Sequence, residues 1–379
     1  MKTPNSPIGD LHRYGTATVE ENMEDEIQIR SAEQLAAQLG AHWPNLAAAR
    51  SKSQSEFARL QDACRSLVMP DTSLVVFGSL AREEFTDASD IDWTLFVDGI
   101  TIPEHLAVAR QIANALAALE SKKPGRTGTF GNLASSHNLI HFIGGEDDTN
   151  INTTRRSLLL LEARAIGEGE AFNRVRNNIL KRYLEEDMGL WRDTTKVKVP
   201  HFLLNDFARY WRTMTVDFAD KQHDRFHEGF ALRNIKLRLS RKLMYISGLL
   251  TCFRCQLDFP DDAERLAFFQ RDNALAVTSF IGAFLDRTPL DLAAETLMQF
   301  SGKRDAIRSM FSAYDAFIGI LGDGSSRHHL ENLKPQELDT DLQYKEARNI
   351  SHQFGDAVRD IFLTADNPVG KLTIRYGVF

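Results

Sequence analysis

The residue patterns predict an α+β chain, with a mixed-sheet half followed by an all-helical half. Three observations carry this. Short apolar runs of β type, at residues 74–77 and 91–97, alternate with helical stretches before residue 150. From about residue 153 the apolar residues recur at helical spacing nearly to the end of the chain. And 379 residues, 43% of them hydrophobic, suffice for one large domain or two ordinary ones.

Residues 1–28 read as a flexible tail. Residues 31–40 and 48–68 carry helical periodicity and the good helix formers Ala, Leu, Gln, Glu and Arg. Leu74, Val75, Val76 and Phe77 form a buried strand that stops at Gly78, and residues 91–97 (IDWTLFV) form a second. Residues 104–120 give an amphipathic helix. A third strand is expected at residues 138–143, bounded by Gly144 and Gly145. Thr153 and Thr154 can cap a helix that runs through LLLLEARAIG. Long helices follow at 200–221 and 231–250, then others near 262–285, 291–298, 303–321 and 342–363. Asn367-Pro368-Val369-Gly370 breaks the last helix, and residues 371–379 alternate like a strand. The expected organisation is a catalytic domain at 29–160, a helical domain at 161–364 and a C-terminal tail at 365–379.

The net charge of −7 argues against a protein that coats nucleic acid by bulk charge, although Lys236, Arg238, Arg241 and Lys242 cluster positive charge on one segment. No run of 18 apolar residues appears, so no membrane partner is expected. The first 25 residues lack an apolar core and a small-residue cleavage site, so the expected location is cytoplasmic. Three cysteines make no disulfide framework. Cys252 and Cys255 have CxxC spacing without a second ligand pair, which reads as two thiols on a buried helix rather than a zinc site.

Chemistry concentrates in residues 77–93, FGSLAREEFTDASDIDW. Gly78 permits a tight turn and close backbone approach after the first strand. Ser79 opens a short helix whose hydroxyl and first amides suit nucleotide phosphates, and Arg82, one turn on, can add a guanidinium. Asp90 and Asp92 lie two apart, so a strand puts both carboxylates on one face while Ile91, Trp93 and Leu95 enter the core. Paired acids on one face repel each other unless cations lie between them. Mg²⁺ takes one or two carboxylates plus phosphate oxygens. Two such ions about 4 Å apart hold an attacking hydroxyl and a leaving pyrophosphate in line. A solvated DxD at a strand edge is the plainer alternative; the Gly-Ser turn after an apolar strand, followed by DxD at a second strand, favours catalysis.

GSLAREEFTDASDID resembles the signature of the polymerase-β-like nucleotidyltransferase superfamily, in the form with Arg and Glu after Gly-Ser and a Ser-Asp-x-Asp ending that is similar to the PII-uridylyltransferase group. The resemblance implies a mixed-sheet core packed on a helical domain, two Mg²⁺ ions held by Asp90 and Asp92, and transfer of a nucleotidyl group from an NTP or dNTP to a hydroxyl with pyrophosphate release. Gly78, Ser79, Arg82 and Lys236 are the substrate-binding candidates. The family often carries a third carboxylate on a neighbouring strand. The strand expected here has none, leaving Glu146, Asp147 or Asp148 just beyond it, or Asn138 as a neutral ligand.

Further candidates are less specific. Asn150, Asn152, Thr153, Thr154, Arg155 and Arg156 gather at a helix start and either bind nucleotide or cap the helix. Arg209, Tyr210, Trp211 and Arg212 pose the same choice, with Trp211 better suited to the core. His328 and His329, in a loop, read as structural or exposed. In overall layout and its Tyr376-bearing tail, the chain is similar to defence nucleotidyltransferases of the Hailong type, which build single-stranded DNA oligomers on a terminal tyrosine. That likeness implies Tyr376 as a candidate primer, an antiviral role, a DNA oligomer product and a separate effector protein; a packed C-terminal aromatic is the alternative. A regulator or toxin that modifies a protein or tRNA, and a catalytically dead nucleotide-binding module, are the competing functions.

Overall fold

The computed structural model describes residues 31–119, 129, 131–224 and 229–377; the tail expected at 1–28 lies outside them. Four strands form one mixed sheet, β1 (Thr72–Phe77), β2 (Asp92–Val97), β3 (Leu133–Ser135) and β4 (Ala163–Ile166), in the order β3-β2-β1-β4. β1 runs antiparallel to both neighbours, and β2 and β3 are parallel. The α+β expectation therefore holds for the sheet-bearing half.

Alternation along the strands divides the sheet between two apolar layers. Leu74, Val76, Trp93 and Leu95 face one cluster with Leu60, Cys64 and Ile112. Val75, Phe77 and Phe96 face the other, larger cluster, which runs on through Phe172, Leu203 and Phe207 into the helical half. The two halves thus share one core on that side.

The helices, in chain order, are α1 (Ser31–Leu39), α2 (Pro44–Cys64), α3 (Gly78–Ala81), α4 (Pro103–Ala118), α5 (His137–His141), α6 (Asn150–Leu161), α7 (Glu170–Glu186), α8 (Met188–Trp191), α9 (His201–Asp224), α10 (Phe230–Lys236), α11 (Lys242–Leu257), α12 (Asp262–Phe268), α13 (Ala274–Leu285), α14 (Pro289–Phe300), α15 (Arg304–Gly322), α16 (Gly324–Asn332), α17 (Leu342–Phe362) and α18 (Pro368–Leu372). A π-helical turn, Leu237–Arg241, joins α10 to α11, and another, Thr373–Gly377, follows α18. Among the described residues no helix is long and apolar enough to cross a membrane.

Three expectations are corrected. Residues 138–143 are not a strand: α5 occupies most of them, because Leu139 and Ile143, four apart, are the residues that bury. The sheet's third strand is the shorter β3 before it. The helix expected through LLLLEARAIG stops at Leu161, and residues 163–166 pair with β1 instead. The sheet therefore takes a strand from past residue 160. The C-terminal residues are helical rather than strand-like.

The first two helices fold onto the helical half. α1 packs on α14, and Asp291 accepts from the Ala32 amide at 3.1 Å and pairs with Arg50 at 2.8 Å. α2 packs on α15, where Asp315 accepts from the Leu46 amide at 2.9 Å.

Candidate active site

Strand register decides where the site lies. Phe77, the last residue of β1, pairs with Asp92 on one side and Ala163 on the other. Gly78, Asp92 and Glu162 consequently meet at one end of the sheet. Gly78 has φ +66°, a conformation that favours glycine. A Cβ there would sit 3.2 Å from Asp92 Oδ2, so any side chain would press on the carboxylate. The chain then makes the single turn α3, with Leu80 buried and Ser79 partly exposed. Glu83 follows at φ +60°, a costly conformation for a residue other than glycine. Arg50 at 3.1 Å and Arg164 at 3.3 Å anchor its carboxylate.

Asp92 is the first residue of β2, and Asp90 lies in its lead-in. Both are partly exposed, while Ile91, Trp93 and Leu95 are buried as the alternation requires. Burial, then the charges of Asp90 and Glu162, push the Asp92 carboxyl up to about 6; Arg241 and Arg82 pull against them. Such a pair of oxygen donors suits a hard divalent cation, whose charge would relieve the repulsion. Among the described residues no three His, Cys, Asp or Glu side chains stand together as ligands for one ion. Two carboxylates with substrate oxygens and water is the shell Mg²⁺ commonly takes.

The floor of the site is a chain of buried ion pairs. Glu162, in the break between α6 and β4, pairs with Arg82 and with Arg241 at 3.0 Å. The Arg82 Nε donates to Glu84 at 2.8 Å, and Tyr314 of α15 donates to the other Glu84 oxygen at 2.7 Å. Arg82 is 8% exposed, and burial of its charge is more than offset by Glu84 and Glu162. The phosphate contact expected of Arg82 is therefore replaced by a positioning one: it faces two carboxylates and ties the loop after α3 to β4. Glu162 was not legible as a site residue. A lone acid after four leucines is a signal, because a buried carboxylate needs a cation.

From the helical half, Lys236 and the turn after it approach the same place. Burial, then the charge of Arg327 on α16, lower the Lys236 ammonium to about 8, while Asp90 acts in the opposite sense. The end of α15, just before α16, is held beside the loop after α3, where the Leu321 carbonyl accepts from Thr86 Oγ1 at 3.2 Å. Asp90, Asp92 and Lys236 are thus brought to one region, with Gly78 and Ser79 beside them.

Other expected residues fall elsewhere. Asp148 is not a third metal ligand: it is buried and held by both terminal nitrogens of Arg156, at 2.8 and 2.7 Å. Arg156 is itself fully buried and also reaches Asp206 at 2.9 Å and Tyr183 at 2.7 Å. The cluster at the start of α6 is mainly structural, with Thr149 accepting from the Asn152 amide as its cap. Asn138 is exposed on α5. Trp211 stacks on Tyr245, with centroids 5.7 Å apart. His329 pairs with Asp341 at 2.7 Å. Cys252 and Cys255 are buried, which raises both thiols. Tyr376 packs against His201, centroids 5.2 Å apart, at the first residue of α9. Tyr210, whose ring lies near Arg241, is nine residues further, about 13 Å along the helix.

With this geometry in place, comparison with known proteins adds one finding. Residues 58–114 match the family model of a nucleotidyltransferase domain. The match spans the last third of α2, β1, the Gly78 turn, Asp90, Asp92, β2 and most of α4. The chain is similar to nucleotidyltransferases over the part that builds the site, which supports transferase chemistry. No curated protein matches it.

Proposed function

We propose that this protein is a Mg²⁺-dependent nucleotidyltransferase that moves a nucleotidyl group from an NTP or dNTP to a hydroxyl. The observation that carries this is Asp92 pressed against Gly78 at the sheet end, beside Asp90, with a charge that burial and two neighbouring acids leave uncompensated. Asp90 and Asp92 would hold the ions. When bound, these would orient the attacking oxygen and the departing pyrophosphate and neutralise the charge that develops on them.

The chain's own residues supply the rest. The Gly78 turn lets backbone approach the phosphates without a side chain in the way. Ser79 presents a hydroxyl donor there, and Lys236 supplies a cation whose charge and that of Asp90 act on each other. Arg82 holds Glu162, which in turn holds Arg241 from the opposite half. The acceptor in this reading is a diffusible hydroxyl, because Tyr376 packs on His201 and would have to leave that contact to serve as primer.

The test is incubation of purified protein with each labelled NTP and dNTP and Mg²⁺, read by pyrophosphate release, denaturing gel and thin-layer chromatography. Free oligonucleotide products would fit a signal synthase of the antiviral kind; label on an added protein or tRNA would fit a modifying enzyme. Full activity in Asp92→Asn would overturn the reading.

A further inference from the structure

The turn that carries Ser79 is closed at its far end by a cap that its sequence does not suit. Two backbone bonds define the cap: the Glu84 amide donates to the Ser79 carbonyl at 2.7 Å, and the Glu83 amide to the Leu80 carbonyl at 3.2 Å. That pair of bonds is the Schellman cap, whose left-handed residue is usually glycine. Here the residue is Glu83, at φ +60°, and among the described residues no other side-chain-bearing residue has a positive φ. The conformation brings Cβ close to the next carbonyl oxygen, so the surrounding structure must hold it there.

The Glu83 side chain supplies that hold. One carboxylate oxygen meets Arg50 Nε at 3.1 Å, the other meets Arg164 Nη1 at 3.3 Å, and the side chain is 4% exposed. Both cations are themselves fixed. The Arg164 guanidinium lies over the Phe57 ring of α2, 3.9 Å from its centroid. Arg50, also on α2, gives its other two nitrogens to Asp291 of α14 at 2.8 Å and to Glu33 of α1 at 3.1 Å. The grip on Glu83 therefore runs from the cap into the helical half. The stretch leading on to Asp90 is secured separately. Ser53 Oγ accepts from the Phe85 amide at 2.9 Å, and Ser89 Oγ accepts from the Thr86 amide at 3.0 Å.

We infer that Glu83 is a positioning residue: its carboxylate, gripped by Arg50 and Arg164, holds the left-handed cap that sets the Ser79 turn, and Arg50 ties that setting to the seating of α1 and α14. What the turn does rests on the nucleotidyltransferase reading; the grip and its coupling do not. Strain and grip belong together. A glycine at position 83 has no strain to hold, whereas an alanine keeps the strain and loses the grip. Loosening the cap moves Ser79 and leaves Asp90 in place, so nucleotide affinity changes while the metal requirement does not.

The experiment measures steady-state transfer and urea unfolding of the full chain for Glu83→Ala, Glu83→Gly, Arg50→Met and the double variant of Arg50→Met with Glu83→Gly. Glu83→Ala is expected to raise the nucleotide KM about tenfold, with the Mg²⁺ concentration for half activity unchanged. Glu83→Gly removes the same charge, yet is expected to bring KM back to within about threefold of the parent. Arg50→Met is expected to raise KM about fivefold in the parent and less than about twofold on the Glu83→Gly background. If Arg50→Met does not fold, the alanine and glycine variants decide, since Arg50 keeps Asp291 and Glu33 in both. The inference is overturned if Glu83→Ala lowers only kcat and leaves KM parental, as loss of a purely structural ion pair does by shrinking the active fraction. It is also overturned if Glu83→Gly is as impaired as Glu83→Ala, or if Arg50→Met acts equally on both backgrounds. Unfolding separates this from the functional reading. Arg50→Met is expected to raise the unfolding equilibrium constant about fivefold more in the parent than on the Glu83→Gly background. That coupling without any transfer by the parent sinks the functional reading and leaves the grip standing; transfer by the parent without that coupling does the reverse.

Discussion

Asp92 and Asp148 are the same residue type on the same half of the molecule, yet their surroundings differ in kind. Asp148 is enclosed, and Arg156 meets both its oxygens while Asp206 and Tyr183 complete the shell around that guanidinium. Asp92 is partly open, and its nearest charges include Asp90 and Glu162. The cations within its field, Arg82 and Arg241, are already committed to Glu162. A balanced buried cluster fixes how helices dock. An unbalanced acid beside a glycine that leaves it room is one that a cation from outside would balance.

Exchanging the two roles is the most direct way to break this contrast. Asp92→Asn is expected to lower nucleotidyl transfer about 10³-fold or more, equivalent to several kcal/mol of transition-state stabilisation. Its thermal midpoint should stay level or rise, because an acid repelled by two others is removed. A midpoint that falls steeply would place Asp92 with the structural acids. Arg156→Met should do the opposite. Leaving Asp148 and Asp206 with only the more distant Arg209, at 3.6 and 4.0 Å, should cost about 3–5 kcal/mol in urea unfolding, with the transfer rate per folded molecule nearly unchanged.

The same contrast explains what the sequence could tell. Asp90, Asp92 and Gly78 were legible because their chemistry is local: a turn, a strand start and a two-residue spacing fix them within fifteen residues. Their charge partners were not, because these come from segments far along the chain. Glu162 sits where a run of good helix formers is overridden by pairing with β1, and propensity yields to tertiary contact there. Residues 138–143 misled for a related reason, since a short apolar run fits strand and helix equally until burial chooses between them. The π-helical turn at Leu237–Arg241 has no residue signature, so it was not foreseen within the helix expected at 231–250. Arg82 was placed in the right loop but turned toward carboxylates that the sequence does not show it meeting.

A pH titration sharpens the contrast with a smaller effect. The folded carboxyl of Asp92 sits at about 6 against an ordinary 3.8, so the folded state holds its proton more tightly than the unfolded state does. Its contribution to stability is therefore present below about pH 4 and is lost as pH rises from 4 through 6. In metal-free protein, the parent minus Asp92→Asn difference in unfolding free energy should fall by on the order of 2 kcal/mol across that window. Added Mg²⁺ should favour the ionised form and restore stability above pH 6. A difference flat from pH 4 to 7 would mean that neither burial nor the neighbouring acids raise the Asp92 carboxyl in the folded protein.

The smallest expected effect concerns the tail. Tyr376 is half-buried against His201, and the Gly377 carbonyl beside it accepts from Tyr245 at 3.2 Å. Its contacts are thus packing contacts, like those of the structural cluster and unlike those of the sheet end. Tyr376→Phe keeps the ring and removes the hydroxyl, so unfolding should shift by less than about 1 kcal/mol. Transfer to a diffusible acceptor should stay within about twofold of the parent. If Tyr376→Phe instead abolishes transfer while the fold is intact, the tyrosine hydroxyl is the acceptor. The turn at Thr373–Gly377 must then leave His201 and carry Tyr376 to Asp92 in each reaction. Limited proteolysis of the tail with and without nucleotide would show that movement directly, since a docked turn is protected and a released one is cut.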